Sequence, residues 1–150
     1  MSHITLSEFA DKINQIMPVI SKEFARHQTN DLYKGKITFP QFLILELLYN
    51  DEESNMTDLA KFMHVTTAAM TGIVERLVRD KYVQRAYEPE DRRIIKVKLT
   101  EKGSALVKTI SNQRRKMVID IFGKISDADR QEYLRILTHI KDILIKQKEA

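Results

Sequence analysis

The amino-acid sequence predicts a mainly α chain with one small β-hairpin. Apolar residues recur at helical spacing over most of the 150 positions. The segments Tyr82 to Tyr87 and Ile94 to Leu99 instead read as strands around turn chemistry at Glu88-Pro89-Glu90-Asp91. Just upstream stand a short helical segment, a turn at His64-Val65-Thr66-Thr67 and a second helical segment. Helix, turn, helix and charged hairpin in this order describe a winged helix-turn-helix, with further helices on either side.

Each element follows from local chemistry. Thr5-x-x-Glu8 forms a capping box, in which hydroxyl and carboxylate each satisfy a backbone N–H at a helix start. Leu6, Phe9, Ile13, Met17, Ile20 and Phe24 then make one apolar stripe, and Pro18 is expected to kink this helix or remove one of its hydrogen bonds. Gln28 to Lys36 reads as a polar connector. Thr38-Phe39-Pro40-Gln41 is a second capping box, with proline early enough to be tolerated, and Phe42, Leu45, Leu48 and Tyr49 continue the stripe. Asn50 to Asn55 reads as a polar turn. A short helix from about Thr57 to Met63 buries Leu59, Ala60 and Met63. Thr66 caps the next helix, which runs to about Asp80 with Met70, Ile73, Val74, Leu77 and Val78 on one side. In the second strand Ile95, Val97 and Leu99 alternate with Lys96 and Lys98. Thr100 caps a long helix carrying Leu106, Ile110, Met117 and Ile121. Ser126-x-x-Asp129 opens the last helix, where Tyr133, Leu137, Ile140 and Leu144 repeat.

Composition narrows the function. With 43% hydrophobic and 31% charged residues the chain reads as globular and soluble. No apolar run approaches the length of a bilayer span and no signal peptide is evident, so a cytoplasmic protein with no membrane partner is expected. The absence of cysteine removes disulfides, thiolate metal sites and thiol redox chemistry. A net charge of +4 permits an anionic partner without requiring one. The chain is not expected to be an enzyme. It shows no Ser/His/Asp or Cys/His arrangement, no phosphate-binding glycine loop and no His-Glu-x-x-His pair. The carboxylates of Glu88, Glu90 and Asp91 cluster in a turn with no apolar pocket to separate their pKa values.

Two segments point to double-stranded DNA. On a helical wheel from Thr66 to Asp80, the face opposite the apolar stripe carries Ala68, Gly72, Glu75 and Arg79, flanked by Thr71 and Arg76. Small residues in the first two turns let a backbone approach base edges in a major groove. Thr67 and Thr71 can donate to phosphates or bases, Thr71 can offer its methyl to thymine, and the helix start near Thr66 favours a phosphate oxygen. An ordinary solvated face would look similar, and the helix gains weight from the hairpin behind it. There Asp91 and Arg93 stand two apart, so an ion pair or shared hydrogen bonds would stiffen the loop and aim the guanidinium. Arginine is the residue most at home in a narrow minor groove. Arg92, Arg93, Lys96 and Lys98 have no acid among them, whereas Thr57 to Gly103 as a whole holds 10 Lys/Arg against 7 Asp/Glu. The positive field is therefore local to the wing.

Thr71 with Leu77, followed by Asp91-x-Arg93-x-x-x-Val97-x-Leu99-Thr100-x-x-Gly103, resembles the signature of MarR-type transcriptional regulators. Thr38-x-x-Gln41-Phe42 with Leu45, and Leu59-Ala60, match as well, and the flanking helices agree in number and length, so the resemblance covers nearly the whole chain. It implies a homodimer whose terminal helices interdigitate, with residues 1–36 and 104–150 forming the dimerisation region and residues 37–103 the winged helix. It implies a pseudo-palindromic operator, with the helix from Thr66 in the major groove and Arg93 in the minor groove. Most members repress, and many release DNA when a small aromatic or phenolic effector binds between the dimerisation helices and the DNA-binding lobe. Two departures stand out. Lys81 occupies a place where the family commonly has glycine, and the lack of cysteine excludes the peroxide-sensing branch.

The terminal helices support dimerisation independently, because they carry more apolar stripe than one small lobe can cover. A C2 dimer also matches half-sites about 10 base pairs apart. No cofactor is expected. His27 lies one turn from Glu23 at ligand-compatible spacing, but His3, His64 and His139 are scattered, and no metal site is assigned. Phe24, Tyr33, Phe39 and Phe42 are aromatics available to an effector pocket, though such residues are more often core, and no ligand residue is assigned. The competing function is a DNA-binding architectural protein without an effector, which would show hardly any sequence preference.

Overall fold

Thr38 sets the first boundary of the winged module. Its hydroxyl accepts from the Gln41 N–H at 3.3 Å while the Gln41 side chain accepts the Thr38 N–H at 2.8 Å, so a complete capping box starts the helix. The same device begins the N-terminal helix, where Glu8 and Thr5 exchange backbone N–H bonds. The computed structural model describes residues 3–27 and 36–149. In chain order the elements are α1 (Leu6–His27), α2 (Phe39–Asp51), β1 (Glu53–Asn55), α3 (Met56–Met63), α4 (Thr67–Arg79), β2 (Val83–Tyr87), β3 (Ile95–Leu99), α5 (Glu101–Phe122) and α6 (Asp127–Glu149). The connector read between Gln28 and Lys36, and Tyr33 with it, lies outside the described residues apart from Lys36.

The sheet departs from a simple hairpin. Three strands pair antiparallel among the described residues, in the order β1-β3-β2. Residues Asn50 to Asn55, read above as a polar turn, contain β1, whose Glu53, Ser54 and Asn55 lie opposite Lys98, Val97 and Lys96. Glu-Ser-Asn has neither apolar alternation nor strand-forming side chains. Its pairing is imposed by β3 rather than by local preference. On the other side of β3, Arg85 lies opposite Val97 and Tyr87 opposite Ile95.

The core gathers Phe42, Ile44, Leu45 and Leu48 of α2, Leu59 of α3, and Met70, Val74 and Leu77 of α4. Val97 of β3 and Leu106, Val107 and Ile110 of α5 belong to it as well. Proline in α1 does not end the helix, which runs unbroken from Leu6 to His27, although Pro18 has no N–H to give the Asn14 carbonyl. The chain divides into two compact units, Met1–Gln113 and Arg114–Ala150. Neither α1 in the first nor α6 in the second buries a single residue. Within the second unit, Phe122 stacks on Tyr133 at 5.4 Å between ring centroids, and the Arg130 guanidinium donates to the Phe122 and Ile125 carbonyls.

Candidate nucleic-acid interface

Helix α3 ends at His64, whose left-handed backbone (φ 53) reverses the chain toward α4. Thr66 then caps α4 by accepting the Ala69 N–H at 3.1 Å. Met70, Val74 and Leu77 anchor the helix in the core. The opposite face therefore turns outward: Thr66, Thr67, Ala68, Gly72, Glu75, Arg76 and Arg79 are exposed and Thr71 is half-buried. Around Gly72 a Cβ would meet nothing within 4 Å. Open space lies over this turn on the side away from the core.

The Thr71 hydroxyl donates to the Thr67 carbonyl at 2.9 Å, back-bonding within the helix. With its proton engaged there, Thr71 presents an acceptor oxygen and a methyl group rather than a donor.

The wing is braced as its spacing suggested. Asp91 accepts the Arg93 backbone N–H at 3.0 Å, its Nε–H at 3.1 Å and its Nη2–H at 3.2 Å. The Arg93 guanidinium, with help from the Arg93 N–H, holds the Asp91 carboxyl below its ordinary value of 3.8. The Arg93 side chain is nevertheless 91% exposed, so the brace aims the guanidinium without covering it. Arg92 is exposed beside Tyr87, Glu88 and Pro89. The loop is closed by the Glu88 N–H donating to the Ile94 carbonyl and the Ile94 N–H to the Asp91 carbonyl. At its root Lys96 sits between two carboxylates, 2.9 Å from Glu88 and 3.0 Å from Glu53. Glu88 first, then Glu53, hold the Lys96 ammonium above its ordinary 10.5. Lys96 thus ties the wing to β1, and Arg92 and Arg93 are the outward cations of the loop between β2 and β3.

Helix and wing meet across a cleft of about 330 Å³ lined by Thr67 and Thr71 of α4, Asn55 and Thr57 at the start of α3, and Arg85 and Arg93. Arg85 is a residue that sequence reasoning passed over. Paired with buried Val97, it shares the sheet face that packs on the core, yet lies far enough along β2 to reach the cleft exposed. An arginine in phase with the buried residues of a strand was the available signal.

No group of three His, Asp or Glu side chains suited to a metal comes together among the described residues. Glu23, weighed above with His27, pairs with Arg26 at 3.3 Å. No helix of the described residues is long and apolar enough to cross a membrane.

The sequence pattern of the MarR family matches residues 37–95, the stretch from the α2 cap through the wing. A MepR-like protein solved with pseudoligands is 30% identical, with a TM-score of 0.58 and coverage of 96% of this chain and 97% of that one. The chain belongs to the MarR family. At that level of description this MarR-family chain is a DNA-binding transcriptional regulator, not an enzyme. The HTH-type transcriptional regulator SarZ of Staphylococcus haemolyticus is 28% identical over 141 residues, covering 92% of each chain. Streptococcus pneumoniae FabT, solved in complex with DNA, has the same fold, with a TM-score of 0.79 over 91% of this chain and 98% of that one at 19% identity. The glycine that the family commonly places after α4 is Lys81 here, and Lys81 takes the positive φ of 65 that glycine would adopt freely.

Proposed function

We propose that this MarR-family chain is a homodimeric repressor in the cytoplasm that binds a pseudo-palindromic operator and is released by a small aromatic or phenolic effector. Residues 1–36 and 104–150 form its dimerisation region and residues 37–103 its winged helix. Helix α4 enters the major groove through Thr66, Thr67, Ala68, Thr71, Gly72 and Arg76. The wing, through Asp91, Arg92 and Arg93, reaches the adjacent minor groove, with Arg93 inserted and Asp91 holding it.

The observation that carries this reading is the shared cleft: Thr67 and Thr71 line it together with Arg93, so helix and wing address one ligand from one side. Division of labour follows from chemistry. The arginines contribute salt-dependent attraction to phosphates and a preference for narrow minor grooves, whereas the α4 face discriminates bases. Dimerisation is supported by the unburied apolar stripes of α1 and α6. Effector release is supported by family membership and by the MepR-like relative solved with pseudoligands.

Selection of duplexes from a random pool tests the reading. The expected product is one palindrome with half-sites about 10 base pairs apart. Recovery of no preferred sequence would assign the protein to architectural DNA binding instead. On the selected duplex, Arg93→Ala should weaken binding by about 1–3 kcal/mol while folding and dimerisation persist. Wild-type affinity in that variant removes the wing from the mechanism.

A further inference from the structure

Helix α4 ends in a way that depends on a distant segment. The Tyr82 N–H donates to the Leu77 carbonyl at 2.9 Å and the Lys81 N–H to the Val78 carbonyl at 3.0 Å, the paired bonds of a Schellman end with Lys81 in the left-handed position. This closure leaves the carbonyls of Asp80, Lys81 and Tyr82 pointing onward, and the start of α5 takes all three. Lys102 Nζ donates to the Asp80 carbonyl at 2.9 Å, Thr100 Oγ1 to the Lys81 carbonyl at 2.5 Å, and the Thr100 N–H to the Tyr82 carbonyl at 3.1 Å. The Lys102 ammonium also lies 4.6 Å from the centroid of the Tyr82 ring, a buried ring that fixes where it can stand. Gly103 permits the approach, since a Cβ there would run into the Tyr82 carbonyl oxygen. The positive charge thus sits at the negative end of the α4 dipole.

We propose that Lys102 is a positioning residue for DNA recognition, setting the angle at which α4 enters the groove by holding its C-terminal end. This rests on the reading of α4 as the recognition helix. Lys102 is not placed to read bases: the 13 residues of α4 span about 20 Å, and the small residues that admit DNA lie in its first two turns. Over that length a tilt of about 5° moves one end by roughly 1.7 Å relative to the other. Recognition geometry tolerates only about 0.5 Å. Three consecutive carbonyls gripped by one turn of α5 resist such a tilt, and Lys102 supplies the single charged contact among them.

The test compares wild type, Lys102→Met and Lys102→Arg on the duplex that the wild type selects from a random pool and on a scrambled duplex of equal length, by fluorescence anisotropy across a salt series. Lys102→Met should bind the selected duplex about tenfold more weakly, the low end for losing one hydrogen bond to a charged group. Its affinity for the scrambled duplex and its salt slope should not change. Arginine, which keeps the charge, the donor and the ring contact, should restore affinity to within about twofold. Equal affinity of Lys102→Met and wild type overturns the proposal. So does an equal loss on both duplexes with the salt slope lowered by about one, because that marks a phosphate contact. Should Lys102→Met lose its helical circular dichroism, Lys102→Gln, which keeps a polar end without the charge, decides by the same comparison. Failure of the wild type to select any duplex would instead strike the recognition-helix reading itself.

Discussion

The winged core and the terminal helices use similar amino acids to opposite ends. Leu45 in α2 is 0% exposed, while Leu137 in α6 is 42% exposed although both sit on apolar stripes of regular helices. Phe42, Leu45 and Leu48 find Leu59, Met70 and Leu77 within a short stretch of chain, whereas Ile136, Leu137, Ile140 and Leu144 are left facing outward. Periodicity alone cannot tell these cases apart. It reports that a stripe needs covering, not whether the same chain covers it. The first region covers its stripes within this chain; the second leaves them open, and the proposed dimer would supply the missing surface.

The sharpest way to break this comparison is to place the same charge in both regions. Leu45→Asp should abolish folding, seen as loss of cooperative thermal unfolding, because an unpaired carboxylate in an apolar core has no compensation. Leu137→Asp should leave the helical spectrum intact but abolish self-association in light scattering. A Leu137→Asp protein that still forms dimers would remove α6 from the interface. Milder truncations rank next. Leu45→Ala should cost about 2–5 kcal/mol of unfolding free energy in denaturant melts. Leu137→Ala should weaken association instead, visible as a concentration-dependent change in melting temperature. A smaller effect, of opposite sign, is expected at Lys81. Glycine there relieves a left-handed cost of about 1–2 kcal/mol for an L-residue. It adds unfolded-chain entropy worth about 0.4–1 kcal/mol. Lys81→Gly should therefore stabilise the winged module, and a lower melting temperature would contradict the assigned strain.

The smallest effect concerns pH. Because Arg93 lowers the Asp91 carboxyl below 3.8, the brace is fully formed above that value and is lost only as pH falls through the lowered one. The Arg93 Nε–H resonance should stay unchanged from neutral pH down to that range and collapse beneath it. A change near neutrality would show that another group holds the wing.

Much of this was legible in the chain because it was local. The capping boxes at Thr5 and Thr38, the caps at Thr66 and Ser126, and the two-residue spacing of Asp91 and Arg93 each need only a few neighbouring residues. What escaped was set by distance or by competition. β1 exists because β3 lies beside it, with Glu53 opposite Lys98, 45 residues later. Lys102 meets the Asp80 carbonyl across 22 residues, and no spacing rule links them. The Thr71 hydroxyl could donate to DNA by its type alone, but its own helix backbone takes that proton first. Arg85 is hidden from apolar periodicity because it is a charge standing on the apolar phase of β2.

Gly72 carries a further consequence. It lies in the middle of α4 with nothing within 4 Å of where a side chain would begin, so neither backbone geometry nor packing requires it. Alanine there would strengthen the helix by about 1 kcal/mol. The chain thus stands below its own attainable stability at one position, and it does so on the surface proposed to meet DNA. On the proposed reading of this face, stability and DNA binding are opposed there over a single methyl group. A screen for thermal robustness should therefore favour alanine at residue 72 and, on that reading, weaken DNA binding.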